Sequence, residues 1–177
     1  GVFLAVGFET TTPGACIALE KAVKEGITNF SLLTANKTMR NAYIQLKTSA
    51  DAYMYPGHVS TMTGMGVYRE LARDYGISGV VTGFTASEII TALATIIKKL
   101  GEGKPFAENC YPRVVTEEGS RPSRVIVNRV MEPCDAEWRG LGVIHDSGMR
   151  LKEEYSSYDA RKKFSIPEMN RSEERRV

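Results

Sequence analysis

Tyr55-Pro56-Gly57-His58-Val59-Ser60 is the stretch that decides how this chain is read. The apolar run Ala52-Tyr53-Met54-Tyr55 enters it, and an amphipathic segment from Ser60 to Tyr75 leaves it. That is a strand, a tight turn and a helix start. Pro56 fixes φ and removes a donor, Gly57 permits a sharp reversal, and Ser60 offers a helix cap. The turn sets His58, one of two histidines in the chain, at the C-terminal end of a strand. Open α/β sheets bind ligands there, because loops converge and helix N-termini present free N–H groups. An ordinary turn with a solvent-facing histidine fits the same residues equally well.

The pattern repeats on both sides. Val2-Phe3-Leu4-Ala5-Val6 is a continuous apolar run of the kind buried on both faces in parallel sheets. It breaks at Gly7-Phe8-Glu9-Thr10-Thr11-Thr12-Pro13, whose threonines offer N-caps and whose proline suits a first helical turn. A helix to Lys24 follows, with Gly26 at its end. Phe30 to Thr34 is a second strand, with Thr38 placed to cap a helix over 39–47. Downstream of the central turn, Gly64 and Gly66 cost helix propensity and let another backbone come close. Gly79-Val80-Val81-Thr82 is a fourth strand, and Gly83-Phe84-Thr85 leads into a strong helix over 86–100. The two Gly-Phe exits echo one another, which the shared chemistry of strand-to-helix turns explains.

Four strand-then-helix units predict an α/β fold, a mostly parallel sheet with helices on both faces, over residues 1–104. Residues 105–166 are expected as an irregular C-terminal extension packing back on it. Within that extension 108–115 reads as extended and 122–131 as helix, although its β-branched residues also suit a strand. Trp138-Arg139-Gly140-Leu141-Gly142-Val143-Ile144 reads as irregular or extended, with the single tryptophan as a packing anchor. Residues 151–164 read as an arm over the sheet, and 167–177 as a disordered polar tail. Both chain ends read as cuts.

Composition excludes several classes. The 177 residues carry a formal net charge of +2, which indicates no polyanionic partner such as nucleic acid. No apolar run reaches membrane-spanning length. Cys16, Cys110 and Cys134 form no C-x-x-C pair, so neither a disulfide framework nor a thiolate metal site is expected. No Gly-rich phosphate loop and no G-x-S-x-G are present. Parallel neighbouring strands would gather Glu9, Thr10 to Thr12, Asn36, Lys37, Thr38, His58, Ser60, Thr82 and Thr85 at one crevice. His58 and Glu9 suit a base and its orienting carboxylate, but no nucleophile stands with them. His145 reads as a surface histidine. One histidine and one glutamate cannot hold iron or zinc alone.

Four motifs carry a family resemblance: Gly7-Phe8-Glu9-Thr10-Thr11-Thr12-Pro13, Pro56-Gly57-His58-Val59-Ser60, Val81-Thr82-Gly83-Phe84 and Trp138-Arg139-Gly140-Leu141-Gly142. In this order they resemble the HypD family of [NiFe]-hydrogenase maturation. Val114-Val115, Ser147-Gly148 and Tyr158-Asp159-Ala160 fit as well. The resemblance implies a cytoplasmic scaffold on which, with HypC and HypE, the Fe(CN)2CO moiety is assembled, rather than a conventional turnover enzyme. It also implies a [4Fe-4S] cluster in the full-length family. By the same resemblance Glu9, Thr10, Thr11, His58 and Ser60 line the cleft. There they orient a cysteine ligand, donate hydrogen bonds to cyanide nitrogen and pass protons. Gly7, Phe8, Pro56, Gly57, Thr82, Gly83 and Phe84 shape the cleft's backbone.

The family's iron-binding G-P-G-C-P-V-C motif and its cluster cysteines are absent from this sequence, which resembles a middle fragment. No metal ligand is therefore expected in this chain, and self-association is expected through the face left open. Asn36 and Thr85 stand where many members carry histidine and glutamate. The competing expectations are a small-molecule transferase or hydrolase using His58 and Glu9, and an inert interaction module.

Overall fold

The structure, a computed structural model, describes residues 1–167. The expected tail falls almost wholly outside the described residues. The chain forms β1 (Val2–Gly7), α1 (Thr12–Lys24), β2 (Ser31–Asn36), α2 (Met39–Gln45), β3 (Tyr53–Pro56), α3 (Gly57–Thr63) and α4 (Gly66–Tyr75). It continues with β4 (Gly79–Thr82), α5 (Ala86–Leu100), β5 (Ala107–Asn109), α6 (Arg121–Val130), β6 (Met131–Trp138) and β7 (Gly142–Leu151). A 3-10 turn over Glu153–Tyr158 and α7 (Ala160–Lys163) close the described chain.

The α/β class stands: strand alternates with helix, and all pairing among β1 to β5 is parallel. The strands are split, however, between two sheets, β1-β2 and β3-β4-β5. The free edge of β2 is taken by the C-terminal region instead of by β3. Lys37 bridges Gly148 antiparallel, Leu32 bridges Asp159, and the Thr34 hydroxyl donates to the Met149 carbonyl at 3.0 Å. β4, flanked on both sides, is buried throughout, as its Gly-Val-Val-Thr composition demands.

Three cores follow. Ala5, Cys16, Leu19, Leu32 and Met131 pack the first sheet, α1 and the C-terminal region together. Tyr43, Tyr55, Tyr68, Leu71 and Val81 form an aromatic core beneath α2 and α4. Val80, Ala92 and Phe106 join α5 to β4.

Two local expectations change. The helix read over 60–75 is two helices, broken where Gly64 adopts φ +75°. A Cβ there would stand 2.4 Å from the Glu117 carbonyl, and one on Gly119 would stand 2.5 Å from the Gly64 nitrogen. The expected close backbone approach is thus the 116–119 loop, whose Thr116 and Glu117 carbonyls accept from Met65 N–H. The strand read over 108–115 is only the three residues of β5, after which the chain turns at Tyr111 to Val115. The tryptophan motif takes the extended of its two readings. It is the tip of an antiparallel β6–β7 hairpin, with Trp138 opposite Gly142. The 122–131 helix and the arm over 151–164 are seen as expected, with Tyr155 and Tyr158 packed against the first core.

Candidate functional site

The Glu9 loop is tied by one carbonyl. Phe8 O accepts from the N–H and hydroxyl of both Thr11 and Thr12, at 3.0–3.3 Å. The threonines thus fold the loop back on itself rather than capping α1 with their side chains. Gly7 is required at the entry: its φ is +142°, and a Cβ would lie 2.3 Å from the Thr11 hydroxyl. Asn36, buried at the end of β2, donates to Thr11 Oγ1 at 3.4 Å and accepts from the Thr34 hydroxyl at 3.1 Å.

This loop delivers Glu9 to the start of α2. Thr38 occupies the N-cap position but makes no side-chain cap. Glu9 supplies it from the loop between β1 and α1: its Oε1 accepts from Met39 N–H at 2.7 Å. A carboxylate at a helix N-terminus also meets the positive end of the helix dipole. Yet burial dominates, and it raises the Glu9 carboxyl above the usual carboxylate range against the opposing Met39 hydrogen bond. Glu9 Oε2 is buried and has no hydrogen-bond partner. Glu9, Tyr43, Val59, Thr63 and Tyr68 line a cavity of about 30 Å³, room for a single water.

The central turn lies on the far side of that cavity. β3 runs directly into α3 at Gly57, three residues before the expected cap. Ser60 is therefore inside the helix. Its buried hydroxyl donates to the Pro56 carbonyl at 2.9 Å and meets the Tyr68 hydroxyl at 2.9 Å. Gly57 allows the close approach of β4: a Cβ would stand 2.6 Å from the Thr82 carbonyl and 2.7 Å from the Tyr111 ring. Pro56 pairs with Thr82, which fixes the two exits side by side. Val59 points into the Glu9 cavity, while His58 is exposed and its ring lies 5.2 Å from that of Phe84.

The third exit is locked by α5. Thr82 Oγ1 donates to the Gly83 and Glu88 carbonyls, and Thr85 and Glu88 form a reciprocal capping box. The Thr85 N–H and the Arg113 guanidinium hold the Glu88 carboxyl down at about 2. A Cβ on Gly83 would strike that carboxylate at 2.2 Å.

Of the four strand exits expected at one crevice, those of Glu9 and Asn36 meet at the start of α2, and those of His58 and Thr82 lie side by side at α3. Glu9 and His58 each belong to the arrangement, but no hydrogen bond joins them among the described residues. Thr10 is half-buried at the loop's surface. Trp138, read only as a packing anchor, contributes beside Lys37, which the sequence placed at the crevice. Trp138 lies 6.0 Å from the Phe8 ring, and the Lys37 ammonium sits 4.8 Å from the Trp138 ring centroid. Trp138 Nε1–H donates to Ser147 at 2.8 Å. The tip of the hairpin is thus a wall of the Glu9 loop. Its sequence signal was the tryptophan motif itself, whose partner no local pattern reveals.

The cysteines do not converge. Cys16 is buried and its thiol pushed up to about 12 by desolvation and the nearby Glu20. Among the described residues the one grouping of three metal-capable side chains is Asp135, His145 and Asp146, all exposed. Its imidazole is already engaged on both nitrogens, with Asp135 at 2.7 Å and Asp146 at 3.2 Å. No cysteine belongs to it, so these residues do not fit an iron–sulfur cluster. No helix among the described residues is long and apolar enough to cross a membrane.

Residues 1–177 match the family described as HypD: Hydrogenase formation hypA family. The hydrogenase maturation factor HypD of Rhodobacter capsulatus is 36% identical over 170 residues, covering 93% of this chain and 45% of the relative. The hydrogenase expression/formation protein HupD of Azotobacter chroococcum is 33% identical over 179 residues, covering 93% and 46%. The HypD of Rhizobium leguminosarum bv. viciae is 36% identical over 177 residues, again covering 93% and 46%. The chain spans about half the length of these curated relatives. The resemblance carried by the Glu9, His58, Thr82 and Trp138 motifs is thereby confirmed, and the chain belongs to the HypD hydrogenase-formation family.

Proposed function

We propose that this chain forms the polar wall of an assembly cleft in a cytoplasmic HypD-type maturation factor. In this reading the iron cargo receives its cyanide and carbonyl ligands there, with HypC and HypE as partners, and its thiolate comes from outside these residues. The observation that carries the reading is Glu9. A carboxyl held by a helix N-terminus, with one oxygen unpartnered and an affinity for protons raised by burial, is suited to hold and release a proton beside a reacting group. His58, exposed at the neighbouring exit, is placed to donate a hydrogen bond to a ligand nitrogen. The buried Ser60–Tyr68 pair positions the helix that carries it.

The scaffold role is favoured over a hydrolase or transferase because the arrangement offers no activated nucleophile: Ser60 is buried and committed to Pro56 and Tyr68. The test is complementation of hydrogenase maturation by the polypeptide that carries these residues. Glu9→Ala and His58→Ala should each lower mature hydrogenase at least tenfold with the protein still present at its usual level. Full maturation by both variants would remove the basis for the reading.

A further inference from the structure

Glu9 Oε1 caps α2, but its Oε2 is buried without a hydrogen-bond partner. Native interiors pair such oxygens or admit a water to them, because an unpaired one is costly. The cavity of about 30 Å³ beside Glu9 is also lined by two hydroxyl side chains, Thr63 and Tyr68. A buried water needs room for one probe sphere and about two to four polar partners. Glu9, Thr63 and Tyr68 supply the partners.

The hydrogens of both hydroxyls are already engaged. A carbonyl only accepts, so Ser60 gives its proton to the Pro56 carbonyl. In the Ser60–Tyr68 contact Tyr68 is therefore the donor. Thr63 Oγ1 donates to the Val59 carbonyl at 3.4 Å. Tyr68 and Thr63 are left with acceptor lone pairs alone. Tyr43 lines the cavity too, but a hydroxyl brings one hydrogen and one acceptor, so the balance is unchanged. The one charged neighbour on the lining, Arg40, is committed to Glu70, Asn41 and Tyr75. A single water brings two hydrogens. With Glu9 ionised, the three acceptors compete for them. With Glu9 protonated, its own proton goes to the water, and the water's two hydrogens reach Tyr68 and Thr63. Every group is then paired. Burial of the carboxyl acts in the same direction.

We propose that one water in this cavity joins Glu9 to Tyr68, and that Tyr68, oriented by Ser60, is the positioning residue for the Glu9 proton. The proposal rests on the reading of Glu9 as a proton holder and deepens it. Its test reads the carboxyl itself, without iron, HypC or HypE, so its failure is distinct from a failure of complementation. The titration midpoint of Glu9 is followed by carbon-13 NMR of the glutamate carboxyls in the 177-residue chain. Tyr68→Phe removes one of the three competing acceptors. The midpoint should fall by at least about half a pH unit, roughly a threefold loss of proton affinity. Ser60→Ala frees the Tyr68 proton to enter the cavity, and the midpoint should fall in the same direction although Ser60 makes no contact with Glu9. A role for Ser60 in packing alone predicts no such shift. Tyr55→Phe removes a hydroxyl from the same aromatic stack but not from the cavity, and should leave the midpoint in place. A crystal structure of the wild-type chain should show one water within hydrogen-bond distance of Glu9 Oε2 and Tyr68 Oη. A midpoint unmoved or raised by Tyr68→Phe or by Ser60→Ala would overturn the proposal, and so would a crystal structure in which no water joins the two oxygens.

Discussion

Glu9 and Tyr55 show how single buried polar atoms set the properties of this molecule. Tyr55 is fully buried, its ring stacked at 4.0 Å on Tyr68, yet its hydroxyl has no partner. An orphaned hydroxyl in a core costs on the order of 1–3 kcal/mol. Tyr55→Phe should therefore raise stability by about 1 kcal/mol in denaturant unfolding, and a loss would show that the hydroxyl is satisfied in solution. Glu9 acts through protonation. Its carboxyl in the folded state lies above its unfolded value because burial disfavours the charge. The contribution it makes is full below the unfolded value, near pH 4.5, and is lost as pH rises through the raised folded value. Glu9→Gln keeps an oxygen for Met39 N–H and removes the charge. Its stability should stay flat across that window and exceed the wild type's at neutral pH. Equal pH profiles for the two proteins would contradict the assignment. The residue types here were legible in the sequence; the cap was not. Thr38 stands in the right place to cap α2, but Glu9, 30 positions from Met39 in sequence, does so.

At the scale of elements, strand and helix positions were largely legible because their signals are local: apolar runs, glycine stops and the Thr85-to-Glu88 capping box. Thr85→Ala should cost about 1 kcal/mol, as loss of a helix cap does, read as a lowered unfolding midpoint. The break between α3 and α4 was not legible. Met62, Met65 and Ala72 continue one apolar stripe across it, so periodicity predicts a single helix. The break is imposed from outside, by the 116–119 loop lying against Gly64. Gly64→Ala meets both a positive φ and the Glu117 carbonyl, and it should destabilise by at least about 1–3 kcal/mol. Near-wild-type stability would mean that the loop gives way freely. The β6 strand was hidden for a different reason. Pro133 argues against a strand, and the hairpin accommodates it opposite Met149.

Across the whole molecule, the division into two parallel sheets depends on pairings far apart in sequence. Thr34 reaches Met149, and Leu32 reaches Asp159. Four successive strand–helix units imply neighbouring strands, and only the three-dimensional fold shows the C-terminal region occupying the edge of β2. The consequence for the site is that the hairpin, not β3, lies beyond β2 and walls the Glu9 loop. In the proposed function these loops would surround an iron cargo without ligating it. The direct measurement is anaerobic titration of the 177-residue chain with ferrous iron, followed by desalting and metal analysis. The account predicts no stoichiometric iron retained by the chain. One equivalent held tightly would contradict it, and would place a ligand among the residues proposed only to position and donate.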